Sequence, residues 1–98
     1  MALQLRDYQI SPGYLDDFVR AWSTHIRPLR EELGFRVVAA WRADDEHRFV
    51  WLLSHPGSVA EFEAADAAYY SSPQRTAFDP DPVQWIVKNR TTFVTELD

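Results

Sequence analysis

One aspartate in the second half of this 98-residue sequence holds an unusual position for a charged side chain. The stretch "EFEAADAAYY" predicts a helix, and at about 100° per residue Asp66 falls inside its apolar arc. The other members of that arc are Val59, Phe62, Tyr69 and Tyr70. Burying a carboxylate among apolar groups is costly unless it is paired, hydrogen-bonded or protonated. Asp66 is therefore expected to be a general acid or base, or half of a structural ion pair with Arg6, Arg36 or Arg42.

Three further polar residues are candidates to share that site. His25 lies at the edge of the apolar arc of the first predicted helix. Imidazole titrates near neutral pH and suits proton transfer, although a half-solvated boundary histidine is the simpler interpretation. Arg6 and Tyr8 share one side of the first predicted strand with Ile10. Such a pair can donate hydrogen bonds to an enolate, phenolate or carboxylate, whereas the alternative is that Arg6 only neutralises Asp66.

Aromatic residues and a second histidine complete the set of candidate site residues. The aromatic candidates for the walls of a cavity that takes a planar apolar ligand are Trp22, Trp41, Tyr69 and Tyr70. Aromatic residues at helical spacing also build ordinary cores, so both interpretations stay open. His55 ends the third predicted strand, where it is either a second acid or base near the cavity mouth or a plain loop residue.

The composition argues against several other chemistries. The three histidines, His25, His47 and His55, lack metal-ligand spacing, and the three glycines form no phosphate-binding loop, so neither a metal nor a cofactor is expected. The chain has no cysteine, and its formal net charge of −5 comes with no basic cluster. Disulfides, nucleic acids and anionic membranes are therefore disfavoured. With no signal peptide and no apolar stretch of about 18 residues, a single cytoplasmic domain spanning residues 1–98 is expected.

The order of predicted strands and helices defines the fold class. "LQLRDYQI" predicts a strand, and the helix after it begins near a Ser11 cap and ends at Gly34. Pro28 inside this helix predicts a kink near Thr24 and His25. "FRVVAAWRA" and "RFVWLLSH" predict a hairpin, Ser58 caps the second helix, and "VQWIVKNRTTFVTEL" predicts the last strand. The order β-α-β-β-α-β is that of an α+β, ferredoxin-like domain with an antiparallel sheet.

The predicted hairpin is apolar on both faces. In its first strand the residues that alternate with Val38 and Ala40 are Phe35, Val37, Ala39 and Trp41. In its second strand the residues that alternate with Val50 and Leu52 are Phe49, Trp51 and Leu53. Two helices cover only one face of a sheet, so the other face is expected to meet an identical chain. Phe49 and Trp51 are provisionally assigned to this homodimer contact.

The stretches "LRDYQISPGYLDDFVRAWSTHIRPLREELGFRVVAAWRA" and "LLSHPGSVAEFEAADAAYYSSPQR" resemble the NIPSNAP family over nearly the whole chain. The shared features are a Leu-Arg-x-Tyr strand, a Pro-Gly turn, a helix ending in Pro-Leu, a Gly-Phe strand entry and a tryptophan in the second strand. The resemblance implies a dimeric α+β barrel. In such barrels two ferredoxin-like sheets stack face to face, and each subunit keeps a pocket between its sheet and its helices.

The resemblance narrows the architecture more than the activity. Dimeric α+β barrels include cofactor-independent oxygenases, polyketide cyclases, lactone isomerases, haem-binding enzymes and ligand-sensing domains. We expect a small hydrophobic or aromatic ligand and cofactor-independent chemistry, with Asp66 and His25 transferring protons and with Arg6 and Tyr8 stabilising an oxyanion. The aromatic candidates and His55 would line the pocket. The alternatives are a non-catalytic binding or sensing module and a purely structural dimer.

Overall fold

The computed structural model describes residues 1–98, and its elements follow the expected order. The four strands are β1 Ala2–Ile10, β2 Arg36–Ala43, β3 Arg48–His55 and β4 Ile86–Phe93. They form one antiparallel sheet in the order β2-β3-β1-β4. The helices are α1 Leu15–Ala21, α2 Arg27–Glu32, α3 Val59–Ser71 and α4 Pro73–Thr76. The predicted α+β, ferredoxin-like fold is confirmed, and none of these helices has the length and apolar character needed to cross a membrane.

The two main helical segments begin differently. Ser58 caps α3 through a capping box, in which its hydroxyl accepts from the Glu61 N–H and the Glu61 carboxylate accepts from the Ser58 N–H. The expected Ser11 cap is wrong, because α1 begins only at Leu15. Residues 11–14 form a turn closed by the Tyr14 N–H on the Ser11 carbonyl, and Gly13 in this turn has a φ of +89° that favours glycine.

A π-helical turn, Trp22–Ile26, separates α1 from α2. The Arg27 N–H donates to the Trp22 carbonyl, and Pro28 lies in the first turn of α2, so the expected irregularity near Thr24 takes the form of a widened turn. One additional residue in a turn rotates the following helix by roughly 100°. Arg30 is accordingly only 1% exposed, whereas Leu33 is 37% exposed.

A β-bulge in β2 decides which hairpin residues face the helices. The pairing of β2 with β3 shifts between Val37 and Ala39, so Trp41 lies beside Val50 on the sheet face away from the helices, here called the open face. Phe49 and Trp51 lie on the opposite side, here called the helix face, and are 3% and 1% exposed. Their provisional assignment to a partner contact is therefore wrong.

Aromatic side chains fill the space between the helix face and the helices. The Trp51 ring meets Tyr8 and Trp22 edge to face, with ring centroids 6.5 and 5.6 Å apart. Phe62 of α3 packs in the same way on Phe35. Gln4, Arg6 and Tyr8 of β1 point into this layer, where the register sets Arg6 opposite Trp51. The fold thus places two polar side chains and a tyrosine of β1 beneath the helices.

Candidate functional site

Asp66 of α3 is held by two buried guanidinium groups. Arg6 Nη2 and Arg30 Nη1 donate to Asp66 Oδ1 over 2.9 and 2.6 Å, while Asp66 Oδ2 accepts no hydrogen bond. The side chains of Arg6, Arg30 and Asp66 are 5%, 1% and 25% exposed. The predicted ion pair with Arg6 is confirmed, whereas Arg42 pairs with other acids and Arg36 is not among the partners of Asp66. Because one carboxylate faces two guanidinium groups, one positive charge has no counter-ion here.

Arg6 connects this ion pair to β1 and to the end of α3. Its Nε donates to Gln4 Oε1 over 2.7 Å, and its Nη1 donates to the hydroxyl oxygens of Tyr8 and Tyr70 over 3.4 and 3.1 Å. Burial alone would lower the pKa of Arg6, but Tyr8, Tyr70 and Asp66 outweigh it and raise the pKa. Arg6 is thus a permanent cation. We call Arg6, Arg30, Asp66 and Tyr70 the arginine cluster.

A small cavity of about 30 Å³, here called the inner cavity, lies beside the arginine cluster. Its lining includes Tyr8, Arg30, Trp51, Tyr69, Tyr70 and Arg75. Two of the four aromatic candidates, Tyr69 and Tyr70, line this cavity together with Tyr8, and their predicted contact with a ligand stays a prediction. The other two aromatic candidates do not: Trp22 packs into the core against Phe49, and Trp41 is 53% exposed on the open face. The pocket between sheet and helices is largely filled by its own side chains.

A larger space opens at the edge of the sheet beside α3. This open cleft has a volume of about 380 Å³ and is lined by Gln4, Phe62, Glu63, Asp66, Ala67, Thr91 and Phe93. Asp66 is the only member of the arginine cluster that reaches it. The cleft therefore has a lining of mixed polarity that includes a carboxylate held in place by two arginines.

The structure does not bring His25 or His55 to either space. His25 is exposed, packs on Phe78 with ring centroids 5.5 Å apart, and lines a separate cleft with Asp17, Arg20, Thr24, Asp79 and Trp85. Its expected proximity to Asp66 and Arg6 is wrong, because the widened turn carries it to the outer side of the helix. His55 is half-buried against Phe35 and Phe62, and its Nδ1 accepts from the Gly57 N–H.

Two buried arginines belong to the site although the sequence interpretation missed them. Arg30 packs its guanidinium 3.6 Å from the ring centroid of Tyr69. Arg75 of α4 is buried beside the same ring and pairs with Asp81 over 3.1 Å. Burial lowers the pKa of Arg75, but Asp81 outweighs this effect and the pKa is raised. Only the extra rotation that the π-helical turn gives to α2 turns Arg30 inward, and the sequence does not reveal that rotation. No sequence pattern in the short α4 predicts the burial of Arg75.

Comparison with known proteins establishes the family. A model of the NIPSNAP family matches residues 3–98. The chain belongs to the NIPSNAP family. A NIPSNAP family protein from Agrobacterium tumefaciens has a TM-score of 0.87 at 11% identity, and the match covers 99% of this chain and 93% of that one. A NIPSNAP domain protein from Burkholderia xenovorans has a TM-score of 0.84 at 18% identity, covering 99% and 95% of the two chains.

The fold of this NIPSNAP protein is shared by proteins that carry a different name. A putative antibiotic biosynthesis monooxygenase from Nitrosomonas europaea has a TM-score of 0.71 at 14% identity, and both chains are covered completely. At such identities the likeness concerns the fold alone. The comparison with curated proteins gives no match. The activity therefore has to be inferred from the residues of the site.

The chemical capacity of the site follows from its geometry. Asp66 lines the open cleft and has one carboxylate oxygen without a hydrogen bond, and the fixed cations that hold its other oxygen stabilise negative charge without reorganisation. The hydroxyls of Tyr8 and Tyr70 accept from Arg6 and keep their own hydrogens for donation. No three histidine, aspartate or glutamate side chains converge as a metal-binding group. The arrangement suits proton transfer or the binding of an acidic oxygen.

Proposed function

We propose that this protein binds a small hydrophobic or aromatic molecule in the open cleft and transforms it without a cofactor. One observation carries the proposal. Asp66 Oδ1 is fixed by Arg6 and Arg30, while Oδ2 has no hydrogen bond and the residue lines a cleft of about 380 Å³. A cleft of that volume is within the range of small-molecule sites.

In the proposed reaction Asp66 is the proton acceptor. Its free oxygen removes a proton from a C–H next to a carbonyl, which leaves an enolate in the cleft, or from the O–H of a phenol, which leaves a phenolate. Arg6 and Arg30 hold the carboxylate in position, and Phe62 and Phe93 contact the apolar part of the ligand. Return of the proton at another carbon gives isomerisation, and attack of the enolate on a second carbonyl gives cyclisation. With dioxygen as the oxidant, the same anion enters oxygenase chemistry.

A second candidate function is ligand binding or sensing without turnover. The observation that favours it is the dense bonding of the arginine cluster, in which Arg6 alone contacts Gln4, Tyr8, Tyr70 and Asp66. Such a network stabilises the fold whether or not Asp66 ever moves a proton. A ligand that shifts the melting temperature but yields no product would support this candidate and exclude the enzymatic one.

We also propose that the working form is a homodimer that joins the open faces of two sheets. Half-buried or exposed apolar residues on that face support it, namely Leu3, Leu5, Trp41, Val50 and Leu52. An identical chain is the simplest cover for such a face. Sedimentation of the wild-type protein at micromolar concentration should give the mass of two chains, and a monomer under these conditions would contradict the proposal.

The ligand proposal is tested by blocking the open cleft from the solvent side. Ala67 is an exposed residue of α3 that lines the cleft, and Ala64 is an exposed residue of the same helix that does not. A panel of phenols, 1,3-diketones and aromatic carboxylates is screened by thermal shift and by mass spectrometry of the products. At least one class should stabilise the wild type and the Ala64→Trp control but not Ala67→Trp. No stabilisation by any class, or equal binding by Ala67→Trp, would overturn the proposal.

A further substitution separates turnover from binding. Asp66→Asn removes the proton acceptor and keeps an oxygen that can accept from Arg6 and Arg30. For a compound that the wild type converts, this variant should form no product, whereas Glu63→Gln, on the same cleft wall, should retain turnover. Undiminished conversion by Asp66→Asn would exclude Asp66 as the base.

A further inference from the structure

Four buried hydrogen-bond donors without partners belong to residues that line the inner cavity. They are Arg30 Nε, Trp51 Nε1, Arg75 Nε and the Tyr69 hydroxyl, and all four residues line that cavity. Each side chain is at least nine-tenths buried, so water from the surface does not satisfy these groups. A buried polar group without a partner is destabilising, and four around one small space are unusual for a folded protein. Their convergence points to a ligand that accepts hydrogen bonds.

The lining also determines the charge of that ligand. No carboxylate or carboxamide side chain is among the residues around the inner cavity, and the only side-chain acceptors there are the hydroxyls of Tyr8, Tyr69 and Tyr70. Arg75 is paired with Asp81, but Arg6 and Arg30 share the single carboxylate of Asp66. One positive charge next to the cavity is therefore uncompensated. A water molecule would leave this charge in place and would bring two hydrogens of its own.

The geometry points to a binding site for a small monoanion in the inner cavity. Its volume of about 30 Å³ holds little more than one water-sized group, which restricts the occupant to a halide ion or the carboxylate end of a molecule such as formate. The anion would accept from the unpartnered donors of Arg30, Trp51, Tyr69 and Arg75 and neutralise the charge that Asp66 leaves over. Tyr70 lines the cavity and is also 45% exposed at the protein surface.

This inference goes beyond the proposed function, because the inner cavity and the open cleft share no lining residue. The anion could come from two sources, either as a free ion in solution or as the carboxylate of a larger molecule whose remainder passes Tyr70. Both sources present the same chemistry to the donors. They differ in size, so a series of anions distinguishes them.

Thermal unfolding in defined anions tests the site. The protein is dialysed into isethionate, whose sulfonate group is too large for a cavity of about 30 Å³, and chloride, formate or benzoate then replaces isethionate at constant ionic strength. Chloride and formate should raise the melting temperature by several degrees with saturation, as specific binding requires. Benzoate that binds as well would identify the carboxylate of a larger molecule as the occupant, and benzoate that fails would identify a free ion. If neither chloride nor formate raised the melting temperature above its value in isethionate, the inference would be overturned.

A tyrosine pair provides the matched control. Tyr69→Phe removes one donor from the cavity without changing its shape, and its apparent affinity for chloride should fall by about tenfold, the usual loss for a hydrogen bond to a charged group. Tyr14→Phe removes an exposed hydroxyl and should bind like the wild type. Line broadening in chlorine NMR of the wild type gives an independent readout that needs no variant. Full affinity in Tyr69→Phe, or the absence of broadening, would refute the site.

Discussion

The two faces of the sheet carry the same kind of ion pair in opposite surroundings. On the helix face, Arg6 and Arg30 meet Asp66 beneath α3, and both guanidinium groups are almost fully buried. On the open face, Arg48 meets the two oxygens of Asp7 over 3.1 and 2.6 Å, and both residues are half-buried. The distances are similar, so access of water makes the difference. The helix face depends on its internal partners, whereas the open face is complete only with solvent or another chain.

The largest expected effect comes from one substitution made on each face. Trp51→Glu places a carboxylate at a fully buried position on the helix face, and we expect a loss of more than about 4 kcal/mol in the free energy of unfolding, enough to unfold the domain. Trp41→Glu places the same group on the open face, where the fold should persist but the proposed dimer should dissociate. Circular dichroism and light scattering measure the two outcomes.

The controls for this pair are specific to each face. Trp51→Phe keeps an apolar ring in place and should remain folded. That result would show that the introduced charge, and not the loss of the indole ring, unfolds Trp51→Glu. Trp41→Phe should preserve the wild-type mass. If Trp41→Glu unfolded the protein as completely as Trp51→Glu, the open face would be part of the folded core and the contrast between the faces would fail.

The second comparison removes one charge from the ion pair on each face. Asp66→Asn leaves Arg6 and Arg30 buried with two uncompensated charges, and we expect it to lower the free energy of unfolding by about 3 kcal/mol. Asp7→Asn leaves Arg48 with solvent and with Glu46, so its effect should stay within about 1 kcal/mol. Urea unfolding at neutral pH gives both values. Equal losses would show that burial does not separate the two pairs.

The sequence was sufficient for the fold and for part of the site because both depend on periodicity. Alternating strands, the Ser58 cap and the apolar arc of α3 predicted the ferredoxin-like order and an inward-facing Asp66, with Arg6 as one of three possible partners. Two local irregularities changed the direction of the side chains that the sequence placed wrongly or missed. The β-bulge at Val37 and Ala39 moved Trp41 to the open face, since a slip of one residue exchanges the faces of a strand. The π-helical turn turned Arg30 inward and His25 outward.

These irregularities share a physical cause that composition does not reveal. Each inserts one residue into a regular hydrogen-bonding pattern, and whether that insertion is tolerated depends on packing partners far away in sequence. Arg75 is a related case, because its burial requires Tyr69 and Asp81 to be placed around it first. A helical wheel or a strand alternation with a fixed period therefore predicts helices and strands well. It predicts poorly which way the side chains point once an extra residue has interrupted the period.

The smallest predicted effect concerns ionisation of Tyr69 on the helix face. Burial raises the pKa of its hydroxyl above the ordinary 10.0, against the opposing effect of Arg30 and Arg75, while Tyr70 and Tyr8 add to the rise. In the unfolded chain Tyr69 ionises near pH 10, but in the folded protein it stays protonated to higher pH. Above about pH 10 the unfolded state therefore binds fewer protons, and the free energy of unfolding falls with pH.

This contribution is fully present below about pH 10 and is lost as the pH rises through the folded pKa of Tyr69. Urea unfolding followed from about pH 8 to about pH 11 should give a shallower decline for Tyr69→Phe than for the wild type. Tyr14→Phe changes an exposed hydroxyl and should decline like the wild type. If both variants gave the same slope, Tyr69 would titrate as it does in water. The inner cavity would then be accessible to solvent, and the distinction between a closed helix face and a solvated open face would not extend to this end of the sheet.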